Sequence, residues 1–425
     1  ALRLGLFMTA YQQDPALVLD PDTLSYQHLS VSIFERGKYE RVAGIAEAHR
    51  PPLYPAYLAM NYAIFGKSNL LAPVILQHIM TLLIASMTAY LAYRLGGPTA
   101  ALLAPILYLT EFTSFYYANE ILSETLFTFI LSVSITTLAL GVRKNSVSLW
   151  WILAAGITLT AAVFVRPVGL LLPYPAAVLL GAVVYWQSRR VKSALKTGMI
   201  FLAPWLILGG FWYARNFGLS GEIFFTNYEG QALFKKLHPI LMSSNQTDLL
   251  TAVAYTASLT AEGMRPIEIY FHVMFTHPVT FFFETLTDMG RVLLSPGQWH
   301  LGFYFPMAFS NPFPMESLIL SGDFALLLAE AKTRPLLYLS LITAVFFHLL
   351  FLYAGIIASV FSVRFKNRDQ VIIYFFLALF CLYFIAITLA FIGQPRFRVP
   401  FVPFLAVLAA TGIGFVARTS RKPAS

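Results

Sequence analysis

The chain has 425 residues, of which 58% are hydrophobic and only 12% are charged. Soluble domains carry about 25% charged residues, so this composition excludes an ordinary soluble enzyme, a disordered chain and a small secreted domain held by disulfides. The one cysteine, Cys381, has no second cysteine in this sequence with which to form a disulfide. The composition therefore predicts an all-α polytopic membrane protein.

Nine apolar runs have close to the length of about 20 residues that a helix needs to cross a bilayer. They cover residues 69–94, 99–117, 121–142, 149–165, 168–187, 197–213, 336–363, 370–392 and 399–417. Residues 1–11 have the composition of the end of one further span, so we expect about ten spans. We assign residues 1–213 to an N-terminal membrane module with a first polar loop at 12–68, and residues 336–425 to C-terminal membrane helices with a basic tail.

The distribution of Lys and Arg predicts the side of each loop, because basic residues accumulate in short cytoplasmic loops. Alternation of the spans puts 14 basic residues on one side, with Asp369 as the one acid among them. These basic residues are Arg3, Arg94, Arg143, Lys144, Arg189, Arg190, Lys192, Lys196, Arg364, Lys366, Arg368, Arg418, Arg421 and Lys422. The net charge of +9 is thus a signal of topology, and we expect no nucleic-acid partner. The polar intervals 12–68 and 214–335 are predicted to be extracytoplasmic.

The interval 214–335 is too apolar to be a free linker. Its segments 249–259 and 266–283 combine helical spacing with aromatic residues and few charges. This pattern favours amphipathic helices that lie at the outer membrane interface. We therefore expect an extracytoplasmic interfacial helical segment here.

Two acids, Asp20 and Asp22, flank a proline after the first span. Ionisable residues beside a bilayer are costly, and they indicate functional sites. A carboxylate at this position can act as a general base, and the pair could bind Mg²⁺ or Mn²⁺, although we do not favour a metal. The structural alternative is that Asp22 caps a helix that begins at Thr23.

Arg50 lies in the sequence His49-Arg-Pro-Pro-Leu-Tyr-Pro. Its planar guanidinium can bind two phosphate oxygens, and the two prolines stiffen the chain beside it. Three further elements at the outer ends of spans also carry arginines, namely Arg166, Arg215, Arg396 and Arg398. The alternative for each arginine is to anchor a helix end to lipid headgroups.

Glu120 and Glu124 open an outer-starting span. They are four residues apart and therefore share one helix face. Acids in a first helical turn also complement the helix dipole, which is the structural alternative. Convergence favours function, since Asp22, Glu124 and all five arginines are expected at the same membrane face. Carboxylates beside several arginines are suited to the transfer of a sugar from a lipid phosphate.

The motifs follow a particular order along the chain. This order is Asp22-x-x-x-Tyr26, Arg50-Pro-Pro-Leu-Tyr-Pro, Ser123-Glu-x-Leu-Phe, Arg166-Pro, Arg215-Asn and Pro395-Arg-Phe-Arg-Val-Pro. It resembles the GT-C glycosyltransferases, in particular the bacterial and archaeal relatives of protein O-mannosyltransferases and lipid A aminoarabinose transferase. Two positions depart from that pattern: Thr23 follows Asp22 where some relatives have a second acid, and His49 precedes Arg50 where some have Glu.

The resemblance implies a GT-C-like transmembrane helix bundle with outer-face loops and interfacial helices. It also implies a glycosyltransferase, a hexosyl- or pentosyltransferase, that uses a polyprenyl-phosphate-linked sugar. Asp22 matches the acid at the reaction centre, Arg50 the basic residue that holds the donor phosphate, and Glu124 a second acid. The acceptor is expected to be a hydroxyl group of a protein, lipid or glycan.

The full site prediction assigns three roles. Asp22 is the catalytic base. The donor phosphate is bound by Arg50, Arg166, Arg215, Arg396 and Arg398. The sugar or the acceptor is bound by Asp20, Tyr26, His49, Glu120 and Glu124. Membrane lipid is a further partner, and no cofactor is expected.

Two other classes of protein remain as alternatives. A lipid or solute transporter, such as a flippase, predicts charged or broken helices near the bilayer midplane, often in two repeated halves. The sequence shows no internal symmetry, and its ionisable residues fall mostly at span ends. A noncatalytic scaffold is the second alternative, and it requires Asp22 to have only a capping role.

Overall fold

The computed structural model describes residues 2–67, 69–143, 146–245, 248–297, 318–319, 322–362, 365 and 368–419. Its helices are α1 (Leu2–Gln13), α2 (Pro21–Arg36), α3 (Leu53–Phe65), α4 (Leu71–Gly96), α5 (Pro98–Thr110), α6 (Phe112–Asn119), α7 (Ser123–Gly141), α8 (Leu149–Val165), α9 (Pro173–Ser188), α10 (Val191–Ser220), α11 (Tyr228–Asn245), α12 (Leu249–Ala261), α13 (Pro266–Thr276), α14 (Pro278–Leu294), α15 (Phe324–Lys332), α16 (Leu336–Ser362), α17 (Arg368–Ala386) and α18 (Val402–Thr419). The predicted all-α polytopic class is confirmed.

Short elements join these helices. Four 3₁₀ helices are formed by Pro15–Val18, Pro167–Gly169, Ile387–Leu389 and Pro395–Phe401. In the first polar loop, β1 (Glu40–Val42) and β2 (Ile45–Ala46) form an antiparallel hairpin, with Glu40 opposite Ala46. A second hairpin pairs β3 (Val142–Arg143) with β4 (Ser146–Val147) between α7 and α8.

Within the described residues, seven helical segments are long and apolar enough to cross a membrane, against the ten or so that we expected. They are Leu71–Gly96, Ser123–Gly141, Pro167–Ser188, Val191–Ser220, Leu336–Phe361, Asp369–Leu389 and Pro395–Ala417. Two other predicted segments form helices at the expected positions but are not among these seven, since α8 has 17 residues and α1 has 12. At 1.5 Å per residue, α8 covers only about 25 Å.

The span predicted at 99–117 is wrong as one continuous helix. It divides at Glu111 into α5 and α6, because Glu111 adopts an extended backbone and caps α6. Its carboxylate accepts a hydrogen bond of 2.6 Å from the Ser114 amide. A helix that continued through Glu111 would leave no place for this cap.

The last helix is the centre of the bundle, since 83% of an apolar 18-residue stretch within Pro395–Ala417 is buried. It packs closely on α16, where a Cβ atom added to Gly412 would lie 2.2 Å from the Gly355 carbonyl oxygen. Such close approach between small residues is typical of helix packing in membranes, where water does not drive helices together.

The interval at 214–335 contributes a separate small core between α11 and α14. Leu237, Ile240, Ile269 and Val273 are among its buried residues. A buried ion pair, Lys236 to Asp288 at 2.6 Å, ties α11 to α14. The helix predicted at 266–283 is in fact two helices, because Pro278 has no amide hydrogen to continue α13 and begins α14 instead.

The two ends of the bundle differ in their charged residues. At one end, Arg94 at the end of α4 pairs with Asp369 at the start of α17, at 3.7 Å. This end carries basic loops that the sequence places in the cytoplasm. The start of α7 and the end of α8 lie at the opposite end, together with the first polar loop.

Candidate active site

The start of α2 positions the two acids of the first polar loop differently. Asp20 is the N-cap of α2, since its Oδ1 accepts a 2.8 Å hydrogen bond from the Asp22 amide. Thr23 Oγ1 in turn accepts a 2.9 Å hydrogen bond from the Asp20 amide, which completes a capping box. The structural alternative for Asp22 is therefore wrong, because Asp20 supplies the cap and leaves the Asp22 carboxylate available.

Asp22 lies between two arginines. Its Oδ1 accepts a hydrogen bond from Arg50 at 2.8 Å, and its Oδ2 accepts one from Arg396 at 3.2 Å. Arg50 and Arg396 come from opposite ends of the chain. Burial alone would raise the pKa of Asp22, but the two guanidinium charges and their hydrogen bonds lower it below its ordinary value. Asp22 is therefore an ionised carboxylate at neutral pH.

Tyr26, one turn after Asp22 on α2, supports Arg50. The guanidinium of Arg50 lies over the Tyr26 ring at 4.7 Å from its centroid and donates a 3.2 Å hydrogen bond to the Tyr26 hydroxyl. The ring of Tyr54, from α3, packs edge-on against Tyr26 at 4.7 Å. A cation over an aromatic face is held by the ring quadrupole as well as by its hydrogen bonds.

A second ion pair lies beside the first. Glu124, in the first turn of α7, pairs with Arg166 at the end of α8. Ser123 joins the two pairs, because its Oγ accepts a 3.2 Å hydrogen bond from Arg166 and lies 3.2 Å from the Tyr26 hydroxyl. Ser123 was not a predicted site residue, although it belongs to the motif around Glu124, and the structure identifies it as the link between two predicted groups.

Glu120 lies near these ion pairs, but the protonation state of its carboxyl group differs from that of Asp22. Its carboxyl group is buried and accepts a hydrogen bond from the Tyr116 hydroxyl. Burial raises the pKa of Glu120 to about 8, although the Tyr116 hydrogen bond opposes this shift. Its neighbours Asp20 and Glu124 raise this pKa further. Glu120 is therefore mostly a neutral carboxylic acid at pH 7, unlike Asp22.

Helix α3 buries polar side chains on one face and exposes apolar side chains on another. Tyr54 and Asn61 are buried on one face, whereas Met60 and Ile64 are more than half exposed on another. An exposed apolar face is suited to lipid, and polar groups inside a membrane protein indicate a functional interior. The Tyr54 hydroxyl is buried and makes no hydrogen bond to any part of the chain that the structure describes. Tyr54 was not among the predicted site residues.

Two predicted site residues lie outside the Asp22 cluster. His49 Nδ1 lies 2.9 Å from Asn227 Oδ1, so it connects the first polar loop to the segment before α11. Arg215 stacks on Trp212 at 4.5 Å and donates a 2.7 Å hydrogen bond to Asn216. The structure brings neither side chain to Asp22, so we do not retain them as ligands of the sugar or the phosphate.

The prediction that Arg398 binds a phosphate needs correction. Its guanidinium is fully buried and pairs with Glu111 at 3.0 Å. The remaining N–H groups donate to Thr113 Oγ1 at 2.7 Å and to backbone carbonyls at the end of α14, including that of Val292 at 2.6 Å. A guanidinium engaged in this way has no donor left for a substrate. Arg398 is instead a structural residue that fixes the segment carrying Arg396.

A divalent cation has a limited set of ligands at Asp20 and Asp22. One Asp20 oxygen accepts a backbone amide hydrogen, and both Asp22 oxygens face arginines. In the described ranges no three His, Cys, Asp or Glu side chains gather as metal ligands do. These residues do not fit a metal ion without rearrangement.

Comparisons with known proteins address the fold. The family model described as dolichyl-phosphate-mannose-protein mannosyltransferase matches residues 49–208. The oligosaccharyltransferase of Archaeoglobus fulgidus in complex with Zn and sulfate is similar over 98% of this chain and 49% of its own, with 16% identity and a TM-score of 0.52. The chain has the GT-C fold.

Other solved structures extend this comparison. A second structure of the Archaeoglobus fulgidus enzyme, tethered to an acceptor peptide, has 14% identity and a TM-score of 0.51, over 98% of this GT-C chain and 50% of its own. ArnT of Cupriavidus metallidurans bound to undecaprenyl phosphate has 16% identity and a TM-score of 0.40, over 99% and 78%. This GT-C chain thus spans about half the length of the archaeal enzyme. No curated protein sequence matches it.

The predicted resemblance is thereby confirmed at the level of the fold. The two departures from the family pattern have structural explanations in this GT-C protein. Thr23, where some relatives have an acid, completes the capping box with Asp20. His49, where some have Glu, bonds to Asn227.

Proposed function

We propose that this protein is an inverting glycosyltransferase that moves a sugar from a polyprenyl-phosphate donor to a hydroxyl acceptor on the extracytoplasmic side of the membrane. The observation that carries the proposal is the contact of Asp22 with both Arg50 and Arg396. This cluster combines cationic groups for a phosphate with a carboxylate for a proton. The family model that matches residues 49–208 is described by a lipid-phosphate sugar donor, which supports the same donor class here.

The arginines act on the leaving group. As the bond between the sugar C1 and the phosphate oxygen breaks, negative charge grows on the polyprenyl phosphate. Arg50 and Arg396 are already aimed at one acidic group, and Arg166 lies next to them through Ser123. Fixed donors at the point where charge develops lower the barrier most. No nucleotide is needed, because the lipid phosphate itself is the leaving group.

Asp22 acts on the acceptor. The acceptor oxygen attacks C1 from the face opposite the phosphate, and its proton passes to the Asp22 carboxylate, so the configuration at C1 is inverted. Glu120, Glu124 and Tyr54 each have a buried oxygen without a hydrogen-bond partner in the described parts of the chain. Since buried polar groups are almost always paired, we assign these oxygens to hydroxyl groups of the sugar.

The side of the membrane can be tested separately. The basic loops predict that the loop before α10 is cytoplasmic and that α11 is extracytoplasmic. Cysteines introduced at the exposed residues Lys192 and Ser243, in a Cys381→Ala background, should be labelled differently by an impermeant thiol reagent added outside. Labelling of the Lys192 site alone would reverse the orientation.

The activity is tested with purified protein in lipid nanodiscs and a set of radiolabelled polyprenyl-phosphate sugars. We expect release of polyprenyl phosphate together with a glycosylated hydroxyl product of inverted configuration. A parallel assay in vesicles measures movement of the labelled lipid between leaflets. Lipid movement without sugar transfer would favour the flippase alternative and overturn the proposal.

A further inference from the structure

The two arginines proposed to bind the donor phosphate are both occupied by Asp22. Its oxygens take one hydrogen bond from Arg50 at 2.8 Å and one from Arg396 at 3.2 Å. Within the described residues, the side chain of Arg396 makes a single hydrogen bond, the one to Asp22. The buried Nε of Arg396 has no hydrogen-bond partner among those residues. Each guanidinium group donates a hydrogen bond to Asp22, so a phosphate that takes the same donors must displace the carboxylate.

The position of the contact between Asp22 and the two arginines allows a phosphate to replace the carboxylate. The side chains of Asp22 and Arg396 are 35% and 23% exposed, whereas the neighbouring Glu124 is 2% exposed. A carboxylate and a phosphate present oxygens of the same kind to an arginine fork, so they compete for the same donors. The donor phosphate is a phosphodiester with one negative charge and two non-bridging oxygens, so it can accept hydrogen bonds from both guanidinium groups at once, as Asp22 does.

We propose that Asp22 and the donor phosphate compete for Arg50 and Arg396, so that binding of the donor releases Asp22 to act as a base. This inference rests on the proposed function and deepens it. A carboxylate held by two guanidinium groups is a weak base, because both charges stabilise its ionised form. Once the phosphate has taken those charges, the same carboxylate binds a proton more readily. The general base is thus switched on by the substrate that it serves.

One turnover returns Asp22 and the two arginines to their starting contacts. The donor phosphate displaces Asp22 from the two arginines. The acceptor oxygen forms its bond to C1 while the C1–phosphate oxygen bond breaks, the electron pair leaves with polyprenyl phosphate, and Asp22 takes the acceptor proton. When polyprenyl phosphate departs, Asp22 returns to the arginines and releases its proton to water. This order requires the donor to bind before the acceptor is activated.

Binding of polyprenyl phosphate without a sugar tests the competition directly. Its affinity for the full-length protein in nanodiscs is measured for the parent, for Asp22→Asn and for Asp20→Asn. Asn has the shape of Asp but no charge, so we expect Asp22→Asn to bind more tightly by on the order of tenfold or more, the value of one hydrogen bond between charged groups. Asp20→Asn also removes a charge and keeps a good cap, but it frees no arginine, so its gain should be smaller.

A double variant tests whether the gain in affinity comes from the arginines that Asp22 releases. In an Arg396→Ala background, the gain from Asp22→Asn should be smaller than in the parent, because one of the two freed guanidinium groups is gone. Equal or weaker binding by Asp22→Asn, or no binding by any of these proteins, would overturn the competition. The measurement is independent of turnover. A gain in affinity without any sugar transfer would leave the competition standing and defeat the proposed function, whereas transfer without a gain would do the reverse.

Discussion

Arg396 and Arg398 are two residues apart, yet they lie in opposite environments. Arg396 is partly exposed and contacts Asp22, whereas Arg398 is fully buried and pairs with Glu111. Both belong to the 3₁₀ helix Pro395–Phe401. With three residues per turn, side chains two positions apart project about 120° apart around the helix axis. The same residue type therefore serves the candidate site at one position and the packing of the bundle at the other.

The surroundings of each arginine match its position. Arg398 joins the α5–α6 break, the end of α14 and the last helix through Glu111, Thr113 and backbone carbonyls. Gly393, just before this segment, lies so close to α14 that an added Cβ would be 2.1 Å from the Asp288 carbonyl oxygen. The segment is thus fixed from two sides. Arg396 is presented to Asp22 from this rigid support.

The largest expected effect tests the Asp22 side of this comparison. Asp22→Asn should lower turnover by roughly 10²–10⁴-fold, the usual contribution of a general base. The fold should survive, because Asp20 supplies the cap of α2. Turnover of a labelled donor and thermal unfolding of the same sample provide the two readouts. An Asp22→Asn protein that turns over at the parental rate would remove Asp22 from the mechanism.

Matched alanine variants test the comparison itself. Arg398→Ala leaves Glu111 charged and buried, so we expect a loss of about 3–5 kcal/mol in the free energy of unfolding. Arg396→Ala, two residues away, should leave stability nearly unchanged and weaken donor binding. Thermal unfolding and donor affinity are measured for both proteins. If both variants lose the same stability, the division into a functional and a structural arginine is wrong.

Arg50 should have an intermediate effect, confined to binding. Arg50→Ala should weaken donor binding by about 1.5–3 kcal/mol, the scale for hydrogen bonds to charged groups. Arg50→Lys should recover only part of this loss, because an ammonium group cannot make a two-oxygen contact. Affinity for a polyprenyl-phosphate sugar is the measurement. Parental affinity in Arg50→Ala would reduce Arg50 to an interfacial anchor.

The smallest expected effect concerns pH. The pKa of Glu120 is raised from 4.5 to about 8, so between these values the folded protein holds a proton that the unfolded chain releases. Its contribution to stability is complete below pH 4.5 and is lost as the pH rises to about 8. We expect the thermal stability of the parent to fall over this range, in the direction that the raised pKa requires.

Glu120→Gln provides the control for this pH effect. Glutamine keeps the shape of a neutral carboxyl group and does not ionise, so its thermal stability should fall less steeply between about pH 5 and pH 8. The difference between variant and parent isolates Glu120 from the other groups that titrate in this range. Parallel curves for the two proteins would show that Glu120 does not carry the raised pKa.

Some features of the candidate site could be predicted from the sequence. Asp22, Arg50, Glu124 and Arg166 stand at helix ends that alternation of the spans places on one face, and the structure brings them together. Ser123 could have been found from the same signal, since it precedes Glu124 in a quoted motif. His49 and Arg215 were expected in the cluster for the same reason, but a shared membrane face does not specify which side chains meet.

The sequence by itself determined the class of the molecule. Apolar runs long enough to cross a bilayer form helices whatever their neighbours in the fold are, because a backbone in lipid must satisfy its own hydrogen bonds. Only the tertiary structure decided which arginines of the outer face reach Asp22, and that Arg396 does so while Arg398 pairs with Glu111. Those outcomes depend on rotation about helix axes and on contacts such as that between Arg396 and Asp22, which are 374 residues apart. No local pattern encodes a contact of that separation.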